Sequence, residues 1–173
     1  MKQPPPLDRR DPPEAASEKD MLAAFLDYHR ATLLWKADGL SDHDLRRPMT
    51  PSGVTLLGMI KHLAYVERWW FQAVFLGEQV YFPESETDPD IEWRIAPDES
   101  AKTVLDLYRT ECERSRRIVA AADLDDRARA PRTQPPGGEQ SLRWIVIHMI
   151  EETARHNGHA DIMREAIDGS TGE

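Results

Sequence analysis

The chain has 173 residues, 40% hydrophobic and 31% charged, with a formal net charge of -9. That suggests one soluble globular domain, and the acid excess without any Lys/Arg cluster argues against nucleic acid as a partner. No run of 18 apolar residues predicts a transmembrane helix. The N-terminus lacks the apolar core of a signal peptide and Cys112 is the single cysteine, so the expected location is the cytoplasm, with no membrane partner.

Residues 1–17 hold five prolines and many charges, and are predicted to be a disordered or loosely attached tail. The first helix is expected from about Glu18 to Ala37, with Leu22, Phe25, Leu26, His29 and Leu33 on its apolar arc and Gly39 as its stop. A short turn follows in SDHDLRR, where Ser41 can cap and Asp44 takes the capping-box position. The second helix begins after Pro51-Ser52-Gly53 and runs to about Leu76, with Gly77 as its stop. It buries Met59, Ile60, Leu63, Val66, Trp70 and Val74, with His62 at the edge of that arc. Gly58 inside it costs roughly 1 kcal/mol against Ala, and is expected to allow a close helix crossing. Residues 78–97 are longer than a tight helical hairpin needs, which predicts a crossover along a bundle, pinned by Trp93 and Ile95. The third helix is expected from about Asp98, as its N-cap, to Ala122, with Val104, Leu105, Tyr108, Cys112, Ser115 and Val119 on one face. The proline- and glycine-bearing loop from Asp123 to Gln140 leads to a fourth helix that ends near Asp168-Gly169. No segment shows sustained strand alternation. The fold class is therefore all-α, an antiparallel four-helix bundle over 18–169 with a frayed end at 170–173.

The chemistry concentrates in SLRWIVIHMIEETARHNGHADIMRE. His148, Glu152, His156 and His159 are spaced four, four and three apart, so they share one stripe of the last helix beside its apolar arc. A Glu and a His at i, i+4 can grip one metal ion from a single helix. His62 from the second helix can complete a set with Glu152 and His156. Two nitrogens and one carboxylate oxygen suit Zn²⁺, and also Ni²⁺, Fe²⁺ or Mn²⁺, and three protein ligands leave room for water or substrate. The competing reading is that these are boundary residues hydrogen-bonded at the rim of the core. His159 stands as a fourth ligand, a base behind the ligands, or a rim residue. His148 lies two turns from His156, roughly 12 Å away, and is better read as packed or hydrogen-bonded. His29 reads as a core histidine and His43 as a surface one. Glu67 and Arg68 read as solvated or inter-helix ion pairs, and Trp69-Trp70-Phe71 as core or dimer interface. Cys112, on an apolar helix face, is expected to be inert, because burial raises a thiol pKa.

PSGVTLLGMIKHLAYVERWWF, followed about seventy residues later by SLRWIVIHMIEETARHNGHADIMRE, resembles the DinB-like superfamily, and most of all its actinobacterial branch labelled mini-circle protein or DinB family of unknown function. The resemblance covers the chain from the first helix onward and is specific in those two stretches. It implies a four-helix bundle of up-down-down-up topology, often dimeric, holding a divalent metal through one residue of the second helix and two of the last. His62 matches the first position. Glu152 and His156 match the pair, which in many members is H-x₃-H and in the related mycothiol-dependent maleylpyruvate isomerase is a Glu/His pair. The superfamily's relatives, bacillithiol transferases among them, use low-molecular-weight thiols. The expectation is thus a metal-dependent transferase or isomerase acting on a small electrophile with a mycothiol-type thiol, with metal ligands His62, Glu152, His156 and His159, and His159 as the candidate proton acceptor. The alternative is a non-catalytic, stress-associated metal or small-ligand binder. The partners implied are a small-molecule substrate and a second copy of the chain, and zinc is the metal favoured.

Overall fold

The computed structural model describes residues 9–130 and 139–171. Four long helices and one short one make up the fold, and no extended strand occurs among the described residues. A single antiparallel bridge joins Arg127 to Ser141.

Local chemistry sets each helix start. α1 spans Glu18–Ala37, and its N-cap Ser17 accepts a hydrogen bond from the Asp20 amide through its side chain. α2 is the short turn Asp42–Leu45, capped in the same way by Ser41 from the Asp44 amide. α3 spans Leu56–Glu67 with Thr55 as its cap. α4 spans Ala101–Ala121, and its cap is Ser100, whose side chain takes the Thr103 amide, rather than the expected Asp98. Both residues are good caps, and the helix begins two residues later than the acid would place it. α5 spans Leu142–Asp168, from a Ser141 cap to Gly169, which adopts the left-handed conformation at φ 78° that a glycine tolerates best.

α3 does not end at Glu67. It continues as a π-helical stretch, Arg68–Phe75, which carries the Trp-Trp-Phe cluster. The wider π turn shifts the helix phase: Trp70 and Phe71 are buried while Trp69 is 44% exposed. The connection that follows contains one 3₁₀ turn, Ile91–Trp93. As expected, Trp93 and Ile95 pack against the core.

α1 packs chiefly on α5, and α3 on α4. The interior holds two apolar clusters, one around Leu33, Leu57, Ile60, Leu63 and Tyr108, the other around Leu26, Phe71, Val74, Leu142, Ile145 and Met149. Each fully buried aliphatic side chain contributes ~1.5–3 kcal/mol of transfer energy. Between the clusters lies a polar layer to which every long helix contributes: Arg30, Glu67, Glu111, Ser115, Thr153 and Asn157, all buried. Arg30 and Glu67 form a two-pronged pair, Nε to Oε1 at 2.7 Å and Nη2 to Oε2 at 2.6 Å. Arg68 and Gln72 both donate to Glu111. The Glu67-Arg68 dipeptide thus makes inter-helix ion pairs. Phe25, placed on the apolar arc by periodicity, is 43% exposed, while Arg30 takes an inward position because Glu67 meets it there.

Within the region expected to be a loose tail, Arg9 donates to Thr32 and lies over the rings of Tyr28 and Trp35 on α1. Residues 1–8, the rest of that expectation, and 131–138, most of the PRTQPPGGEQ loop, fall outside the described residues. No helix of the described chain is long and apolar enough to cross a membrane.

Candidate metal centre

Two helices and one loop build the site. His62 sits in the second turn of α3, and Glu152 and His156 lie one turn apart in the middle of α5. Each of these three residues offers one donor atom, and the three atoms lie within 4.8 Å of one another. His156 Nε2 is 3.2 Å from Glu152 Oε1, and His62 Nε2 is 3.7 Å from the same oxygen. Ligands bound at ~2.1 Å around a tetrahedral ion stand roughly 3.4 Å apart, so these separations suit a divalent ion of zinc size.

The other nitrogen of His62 is occupied. Its Nδ1 donates to Glu92 Oε1 at 2.6 Å. A carboxylate behind a ligating histidine fixes the tautomer, turns the remaining lone pair toward the metal, and raises its basicity. The neighbouring Trp93 lies flat on the His62 ring, 4.0 Å between centroids and 14° from parallel, and also stands 5.5 Å from the His156 ring. Glu92 and Trp93 come from the 3₁₀ turn of the crossover, and Gly58 lets that turn in. A methyl group at Gly58 would stand 2.3 Å from the Trp93 carbonyl oxygen. The close approach expected at Gly58 is therefore made by the crossover backbone and not by another helix.

Electrostatics agree with the geometry. Hydrogen bonds from His156 and His62 hold the Glu152 carboxyl well below the usual carboxylate range, against the opposing effect of burial. Burial disfavours a charge on His62, but Glu152 and Glu92 outweigh it and raise the His62 pKa above its ordinary 6.5. The site is thus negative and attracts a cation, with protons and a metal ion competing for the same nitrogens. His156 Nδ1 is buried without a hydrogen-bond partner among the described residues. A purely structural histidine gains by satisfying both nitrogens, whereas here the ring is oriented for its Nε2 side alone. The side chains of Glu152, His62 and His156 retain 22%, 13% and 11% exposure, so the group lies at the edge of the core.

The remaining histidines lie apart from this group. The ring of His159 is 5.8 Å from that of His156, and the residue is exposed. His148 stacks on Trp144 at 5.1 Å and meets Trp70 edge-on at 4.8 Å. His29 is partly buried on α1, and desolvation lowers its pKa. His43 is at the surface. Cys112 is buried, and burial, reinforced by the Glu67 charge, pushes its thiol far above the ordinary value. Sequence reasoning missed Glu92. It is one acid among several in the crossover, and neither periodicity nor spacing distinguishes it.

A family model described as mycothiol-S-transferase matches residues 21–169 of the chain. None of the curated proteins matches it. Among solved structures, the crystal structure of a conserved protein from Enterococcus faecalis is similar at TM-score 0.66 and 13% identity, covering 90% of this chain and 100% of that one. At that identity the likeness shows a shared helical fold and nothing about activity.

Proposed function

The chain belongs to the mycothiol-S-transferase family, and we propose that it joins a mycothiol-type thiol to a small electrophile at a divalent metal ion held by His62, Glu152 and His156. The observation that carries this reading is the convergence of two imidazole nitrogens and one ionised carboxylate from two helices within 4.8 Å, at the edge of the core. Three ligands leave coordination positions open, which suits chemistry better than a closed structural site.

A divalent ion bound there supplies positive charge that lowers the pKa of a neighbouring thiol and stabilises its thiolate. The protein's own groups do the rest. Glu92 holds His62 in the tautomer that leaves Nε2 free. The Trp93 ring covers the His62 face and keeps water from that side. We assign the acceptance of the thiol proton, and its passage to solvent, to His159, which is exposed with its ring 5.8 Å from that of His156. The carbon–sulfur bond then forms as the electrophile's leaving group departs with its electron pair, or as an unsaturated electrophile takes up the proton. Cys112 takes no part, since its buried thiol reaches neither solvent nor the site.

The test combines elemental analysis with a conjugation assay using mycothiol and a model electrophile such as a bimane. Wild-type protein is expected to carry about one equivalent of zinc or nickel, and His156→Ala to lose both metal and turnover. A His156→Ala protein that retains stoichiometric metal would sink the ligand assignment. Full metal with four protein donors and no turnover on any electrophile would favour a binding protein over a transferase.

A further inference from the structure

A second concave site lies at the other end of α3. Phe75 is 13 residues beyond His62 on one continuous helix, roughly 15–20 Å along its axis. There a cavity of about 600 Å³ opens between the end of the π-helical stretch, the C-terminal half of α4 and the loop that follows α4. That volume lies within the usual range of small-ligand pockets, ~300–1,000 Å³. Its floor is apolar, with Phe75 and Ile118 among the lining residues, and its rim carries four arginines. In a chain of net charge -9 this is a local reversal of sign.

The wall is built rather than incidental. The amides of Arg129 and Ala130 donate to the Phe75 and Val74 carbonyls, and the Ala128 amide donates to Gln140. A methyl group at Gly77 would stand 3.3 Å from the Arg129 Cβ, so the loop and the helix end are in close contact. The backbone therefore fixes where the rim arginines begin.

Their charges are incompletely answered. Arg114 is committed to Glu78 at 2.5 Å. Arg117 donates to the neutral Glu113 carbonyl at 3.4 Å and reaches the Glu113 carboxylate at 3.8 Å, with both side chains more than half exposed, an ion pairing worth little in water. Arg127 donates to a neutral carbonyl, that of Glu139. The Arg129 guanidinium has no partner among the described residues. Asp126 is the only carboxylate in the lining, and its Oδ2 already accepts the Asp123 amide. The eight residues after Ala130, PRTQPPGG, include no carboxylate to answer these charges.

We propose that this cavity is a binding site for a small organic anion, with a flat apolar body against Phe75 and Ile118 and a carboxylate, sulfonate or phosphate held by Arg117, Arg127 and Arg129. Arginine suits such a group because its planar fork can make two parallel hydrogen bonds to it. The site is independent of the metal centre, and an anion seated there does not touch the metal ligands.

The test is a titration of the full chain, with its metal content unaltered, using 2-naphthoate and its uncharged isostere 2-naphthamide, followed by amide NMR. The expected result is shifts centred on residues 117–122 and 126–129, with 2-naphthoate at least tenfold tighter than the amide and weakened by salt. Arg117→Gln/Arg129→Gln should lose that preference, while Arg109→Gln, an exposed arginine elsewhere on α4, should keep it. The same spectra report whether each variant is folded. Equal affinity for acid and amide would overturn the proposal. So would shifts centred on Trp144 and Ile147 or on His62 and Glu152, or a double variant that binds as wild type does.

Discussion

The substitution Gly58→Ala separates the stability of α3 from the quality of the metal centre. By helix propensity alone it should stabilise by at most ~1 kcal/mol, the preference for Ala over Gly in a helix interior, since Gly58 lies in the first turn of α3. Space opposes it. The new Cβ would lie 2.3 Å from the Trp93 carbonyl oxygen, whereas a carbon and an oxygen in contact rest at ~3.3 Å or more. The carbonyl must retreat by about 1 Å, and because it is backbone, the 3₁₀ turn Ile91–Trp93 moves with it. A retreat of that size takes the 2.6 Å bond between Glu92 and His62 Nδ1 to the limit of hydrogen bonding, and lifts the Trp93 ring from its 4.0 Å stack. Overpacking typically costs ~1–3 kcal/mol, so the net loss of stability should be only about 0–2 kcal/mol. Loss of the carboxylate behind a ligating histidine should weaken metal binding about 10–100-fold. The assays are urea denaturation of metal-free protein and competition against a chromophoric chelator for affinity. Glu92→Gln, which leaves the helix untouched, should reproduce the affinity loss. If Gly58→Ala binds metal as tightly as wild type, the link from this glycine through the crossover to His62 is refuted.

Further outcomes follow from the buried groups. Glu67→Ala should destabilise the fold by about 3 kcal/mol, because it leaves the buried Arg30 guanidinium with only the partly exposed Asp27 carboxylate as its partner, while Arg30→Met/Glu67→Leu should recover most of that; a loss under 1 kcal/mol in urea titration of the single variant would contradict the pairing. Cys112 should resist a thiol reagent in native protein and react at once in denaturant, since burial raises its thiol pKa; comparable labelling in both states, followed by mass spectrometry, would show the residue to be accessible. Desolvation lowers the His29 pKa, so its NMR titration midpoint should lie below 6.5. The unfolded chain then binds the proton more readily, and the contribution to stability is complete above pH 6.5 and lost as pH falls through that value to the folded midpoint. A midpoint at or above 6.5 would remove it.

The parts legible in the sequence are those governed by local rules. α1 falls on the expected residues because Ser17 caps its start and Gly39 follows its end. α5 ends at Asp168 because only Gly169 takes the left-handed conformation there. The closeness of Glu152 and His156 needs nothing beyond a helix, since four residues make about one turn. What could not be read depends on several segments meeting. The π-helical stretch leaves no mark in the hydrophobic pattern: a 3.6-residue period places Trp70 and Val74 inward, as found, but does not bring Phe71 in beside Trp70 or mark Trp69 as exposed. Arg30 has the composition of a surface residue until Glu67 is placed opposite it.

Glu92 makes the same point for the site itself. Residues 78–92 include six acids, Glu92 among them, and no local rule selects one of them. The choice is made by a missing side chain: Gly58, one turn before His62, admits the Trp93 carbonyl, and the turn that carries Trp93 also carries Glu92. A glycine in the first turn of a helix, where Ala is the better helix former, is thus a pointer to whatever backbone lies against it. Since the residue that needs a hydrogen-bonding carboxylate sits four positions later, the sequence contains the two ends of this arrangement but not the loop conformation that connects them. A metal affinity insensitive to both Gly58→Ala and Glu92→Gln would mean that the close approach serves packing alone, and His62 would then be oriented by Trp93 and by Glu152.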